Sequence, residues 1–97
     1  MDKISQTQID ICAVVDEVKK LLLEKNRKYG DSAINPVRVF SKSDPLEQIR
    51  VRMDDKLSRL RNAQEDEDED VIADLLGYLI LYRVAKMQQN RADFGVA

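Results

Sequence analysis

Both prolines of the chain, Pro36 and Pro45, fall within one short window, and on either side of it apolar residues recur at helical spacing. Proline cannot donate an amide hydrogen bond and clashes with the preceding turn, so it marks where helices cannot continue. Only three glycines accompany those two prolines, too few for the many turns of a β-sandwich or barrel. The expected fold class is therefore all-α: a small helical bundle of three main helices with an extended crossover loop over residues 30–44, completed by oligomerisation. The 97 residues are expected to form one helical domain, since a chain this short seldom supports two.

Helix 1 is expected over about 5–29. Ser5-Gln6-Thr7-Gln8 has the pattern of a capping box, in which serine caps an amide and Gln8 reaches back. Ile11, Val15, Val18 and Leu22 then share one face, widened by Val14 and Leu21. Gly30 stands where a left-handed cap would end the helix. The loop shows no helical period. Asn35-Pro36 favours extended backbone, and Val37-Arg38-Val39-Phe40 reads either as a short strand-like piece with a functional loop or as a crossover that packs Val37, Val39 and Phe40 into the core. Helix 2, about 45–63, opens with Asp44 as cap, Pro45 in the first turn and Glu47 at the reciprocal position. Its core stripe is Leu46, Ile49, Met53, Leu57 and Leu60. Helix 3, about 67–89, is apolar nearly all round, through Leu75, Leu76, Leu79, Ile80, Leu81 and Val84. Such a helix is either central or at a subunit interface, so a homo-oligomer is expected. The tail 90–97 is expected to be ordered only if Phe94 docks.

Composition excludes several chemistries. With no histidine and one cysteine, Cys12, the chain can build neither a His-ligated metal site nor a histidine general base, and it has no internal disulfide. Residues 1–64 carry 13 basic and 10 acidic side chains, and residues 65–97 carry 3 basic and 8 acidic. An acidic C-terminal third makes nucleic acid an improbable partner. The longest apolar run, residues 75–82, is too short to span a bilayer, and no signal peptide is evident. The expected setting is cytoplasmic, with no membrane partner.

The acidic run EDEDED at 65–70 divides by helical phase. Most of it points to water in any register. Asp70 and Asp74, with Glu67 before them, continue into Tyr78 and Tyr82 at i, i+4 spacing. Asp74 sits inside an apolar segment, where a carboxylate needs a cation, a hydrogen bond or a metal. The nearest basic groups are on helix 2, where Arg52, Lys56 and Arg59 flank the core stripe with Asp55 beside them. Two chemistries remain open. The carboxylates can hold Mg²⁺, a hard ion that takes oxygen ligands, or they can pair with the helix 2 cations and do no chemistry.

The segments KNRKYGDS, RMDDKLSRL and DVIADLLGY, in that order, resemble the nucleotide-modification-associated domain 1 family of phage and bacterial proteins. The likeness spans about residues 22–84. That family is similar in architecture to the MazG-like all-α nucleotide pyrophosphohydrolases, oligomers in which helical carboxylates bind Mg²⁺ and a nucleoside triphosphate. The resemblance implies a partner that is a nucleotide or another phosphate-containing small molecule. It implies metal ligation by Asp70 and Asp74, with Asp55 and Asp74 as catalytic carboxylates. Substrate would be held by Lys28, Tyr29, Asp31, Arg52, Lys56, Arg59 and Tyr78. Helix 2 lacks the Glu-Glu-x-x-Glu cluster of the MazG-like enzymes and offers only Asp54-Asp55. The resemblance therefore implies nucleotide binding more directly than Mg²⁺-dependent hydrolysis. A non-catalytic oligomer that sequesters a signalling nucleotide of host antiviral defence is the alternative.

Overall fold

A computed structural model describes residues 3–36, 39–62 and 68–94, with residues 68–70 described in backbone only. It contains three helices, α1 (Gln6–Tyr29), α2 (Pro45–Arg61) and α3 (Asp68–Asp93), and no strand among the described residues. The all-α expectation is met. The chain divides into two compact units, Met1–Gly30 and Asp31–Ala97.

The first unit is α1. Its start is the capping box read from the sequence: the Gln8 amide donates to Ser5 Oγ at 3.1 Å, and the Ser5 amide donates to Gln8 Oε1 at 2.9 Å. Of its apolar face only Val18 is buried, and Ile11, Val14 and Val15 are exposed, so the stripe expected to form core is largely open. Gly30 ends the helix with φ +64° and ψ −152°. The positive φ agrees with the sequence reading, but the ψ value does not belong to the left-handed helical cap. It belongs to a region that only glycine enters without strain.

The second unit is a helical hairpin with a turn folded onto it. Asp44 caps α2 by accepting the Glu47 amide at 2.9 Å, with Pro45 in the first turn. Glu47 does not return the bond as expected. Its carboxylate turns to Arg50 at 3.2 Å, a charged partner on its own face one turn later. The α2 and α3 axes run in opposite directions, because α2 residues 50 and 56 meet α3 residues 82 and 74 respectively. Between them Ile49 is wholly buried and meets Ala85 and Ile34, with Leu46, Met53, Tyr78, Leu81, Tyr82 and Val84 packed around. Leu57, expected in this stripe, is half exposed instead.

Ile34 reaches the core through a turn organised by Asp31. The Asp31 carbonyl accepts the amides of Ile34 at 3.0 Å and Asn35 at 2.7 Å, and its carboxylate accepts Asn35 Nδ2 at 2.9 Å. Val39 and Phe40, which one reading placed in the core, are exposed, Phe40 almost completely; Val37 and Arg38 lie outside the described residues. The loop is anchored by Ile34, which precedes the segment the sequence singled out. At the other end, α3 continues to Asp93, four residues past the expected end at Gln89. Phe94 is exposed yet its amide still donates to Asn90 at 3.1 Å. Local helical hydrogen bonding, not docking of Phe94, orders the described part of the tail.

Two stability measurements follow. Ile49→Ala removes the one side chain fully withdrawn from water and is expected to cost about 2–5 kcal/mol in urea or thermal unfolding. Gly30→Ala meets no neighbouring atom within 4 Å, so its cost is conformational only, about 1–3 kcal/mol, and should appear without loss of core packing in the α2–α3 hairpin.

Candidate functional site

The sequence-derived site residues fall on different parts of the molecule. On the hairpin, Lys56 Nζ lies 3.2 Å from Asp74 Oδ2, bridging α2 to α3. The lysine side chain is only 13% exposed and the aspartate 33%, so the pair is partly withdrawn from water. Asp74 is carried on a mostly apolar stretch of α3, and Lys56 lies on the flank of α2 that faces it. The pairing is one of the two outcomes the sequence left open for Asp74.

Arg52 and Arg59 lie one turn to either side of Lys56 on the same flank of α2. Arg59 Nε is held at 3.5 Å by Asp55 in an exposed i, i+4 pair. Arg52 is half-buried and makes no ion pair with a described residue. Three cations therefore line one edge of the hairpin, with Asp55 and Asp74 fixing two of them. Tyr78, on the same stripe of α3 as Asp74, is turned into the hairpin and packs against the Ile34–Ile49–Ala85 cluster. Its ring contributes to the core that supports the edge.

The remaining site residues have local structural roles. Lys28 and Tyr29 belong to the first unit, where the ammonium stands 5.2 Å from the ring centroid and the ring is largely exposed. Asp31 belongs to the second unit and builds the turn that delivers Ile34. The side chain of Asp70 and all of Glu67 lie outside the described residues. Among the described residues, no three carboxylate or thiol groups converge on a point where a metal ion could sit. Asp55 and Asp74 are turned to cations, and the described donors do not assemble a Mg²⁺ shell.

A second bridge was not read from the sequence. Arg50 Nη2 donates to the Tyr82 hydroxyl at 2.6 Å, and its guanidinium stands 5.3 Å from the Tyr82 ring centroid. Hydrogen bonding to Tyr82, and then to Glu47, raises the arginine above its ordinary value. A guanidinium is charged at every physiological pH, so this contact creates no pH switch. No spacing within either helix marks this contact, which depends on the offset of α2 against α3.

Comparison with protein-family models, with curated proteins and with solved structures gives no match to the chain. No helix among the described residues is long and apolar enough to cross a membrane.

The bridge makes a thermodynamic prediction. Lys56→Met or Asp74→Asn alone is expected to destabilise the hairpin by about 1–3 kcal/mol, because each breaks an ion pair between partly buried groups. The double variant should recover part of that loss, giving a coupling of about 1 kcal/mol in a double-mutant cycle. Strict additivity would mean that the pair contributes no stability.

Proposed function

We propose that this protein binds a nucleotide through its phosphates, and that the α2 edge formed by Arg52, Lys56 and Arg59 is the phosphate contact. The observation that carries this reading is the Lys56–Asp74 bridge at 3.2 Å, which holds an ammonium at the edge of the hairpin between two arginines. An ion pair uses one of the three lysine donors, and a guanidinium has five. Both arginines therefore keep N–H groups for an anion after their local contacts are made. Asp55 and Asp74 act here as positioning groups that restrict the rotamers of Arg59 and Lys56, which lowers the ordering cost of capturing phosphate.

The resemblance to nucleotide-modification-associated proteins supports a nucleotide over other phosphate compounds. Between the two activities implied by the resemblance, binding without turnover agrees better with carboxylates engaged by cations. A protein that sequesters a phage- or host-derived nucleotide is the form of this proposal that the edge supports best. Mg²⁺-dependent hydrolysis is the competing form and rests on Asp70 as a ligand.

Heating the purified protein and identifying released small molecules by mass spectrometry is the direct test. An intact nucleotide is expected, together with loss of that species in Arg52→Ala and Lys56→Ala. Pyrophosphate or phosphate release from nucleoside triphosphates with Mg²⁺, abolished by Asp74→Asn, would instead establish the hydrolase. Titration with a panel of nucleoside triphosphates that shows neither binding nor turnover would dismiss both.

A further inference from the structure

The three cations of the α2 edge are not equivalent. Lys56 is committed to Asp74 at 3.2 Å and Arg59 to Asp55 at 3.5 Å, while Arg52 makes no ion pair with a described residue. Three cations against two carboxylates leave one net positive charge among these side chains, and it belongs to Arg52. All five residues lie in the second unit. At 1.5 Å of rise per residue, Arg52 stands about 6 Å before Lys56 along the axis and about 10 Å before Arg59. Residues one turn apart are neighbours on a helix surface. One phosphate can therefore accept from the Arg52 fork and from a spare donor of Lys56. Any further phosphate meets a different environment. Toward the C-terminal end it passes the carboxylates that hold Lys56 and Arg59. Toward the N-terminal end the same flank of α2 continues through Gln48 and Pro45, which carry no charge.

We propose that Asp55 and Asp74 set the specificity of this edge by admitting one terminal phosphate, so that its ligand is a nucleoside monophosphate and not a di- or triphosphate. The inference rests on the reading of the edge as a nucleotide site. A phosphomonoester carries about −1.5 to −2 charges at pH 7. Arg52 matches that charge with a bidentate contact, and Lys56 adds one bond without leaving Asp74. A triphosphate brings more negative oxygens to the same edge, where the remaining cation, Arg59, already faces Asp55. Like charges set side by side are a means of rejecting the wrong ligand. The two carboxylates thus act twice, holding cations in place and repelling a longer phosphate chain.

Calorimetric titration of the full chain with the mono-, di- and triphosphates of each common nucleoside, in buffer free of Mg²⁺, tests it. For the base that binds, the monophosphate is expected to bind about tenfold more tightly than the triphosphate. Asp55 is over half exposed in an i, i+4 pair, so Asp55→Asn should keep its helical circular dichroism. It should bring the ratio of the two affinities to about threefold or less, because the triphosphate gains more than the monophosphate. A purely structural role for Asp55 would weaken both ligands alike and leave the ratio where it was. Affinity that rises with each added phosphate overturns the inference and leaves the nucleotide reading standing. A ratio unmoved by Asp55→Asn does the same. Absence of binding by every phosphate form overturns both.

Discussion

The antiparallel contact between α2 and α3 is the interaction on which the described second unit depends. Ile49 is its centre, and the elements around it are aligned by two polar bridges of different character, Lys56 to Asp74 and Arg50 to Tyr82. Apolar burial supplies a force without direction. The bridges supply register, because a one-turn slip of α3 would leave Asp74 among leucines without its ammonium and Tyr82 without its guanidinium. The penalty for a stranded charge exceeds the modest gain from pairing it. Polar contacts at this interface therefore select one alignment more than they add stability.

The same register accounts for the candidate site. Lys56 cannot satisfy Asp74 without bringing its neighbours Arg52 and Arg59 to the flank of the hairpin, since all three share one side of α2. A basic edge thus arises as a by-product of helix alignment. Asp31 shows the same economy: a residue assigned to ligand contact by resemblance is engaged in the turn that places Ile34. Structural and ligand-binding roles can coexist at one residue, but the structural role is sufficient to explain its position.

Helix existence was legible because the signals were local. Ser5–Gln8 and Asp44–Pro45 mark starts by satisfying amides that no preceding turn can satisfy, and apolar spacing marks the face that follows. Boundaries slipped where tertiary docking was given too much weight, as at Phe94, where backbone bonding alone carries α3 onward. The site was legible in part. The position of Asp74 within an apolar segment required a partner, and Lys56 was among the cations named. The Arg50–Tyr82 bridge escaped because it depends on the relative offset of two helices, which periodicity within either helix does not encode. The exposed Val39 and Phe40 show the converse limit: local composition suggested core, but no packed surface receives them.

The bridge to Tyr82 has a spectroscopic consequence. The chain has no tryptophan and three tyrosines, of which Tyr78 and Tyr82 lie in the hairpin core and Tyr29 is exposed on α1. Near-ultraviolet circular dichroism depends on rings held in fixed, asymmetric surroundings, and two of the three rings meet that condition at one interface. The near-ultraviolet spectrum is therefore an optical readout of α2–α3 alignment, obtained without a label and dominated by a single contact.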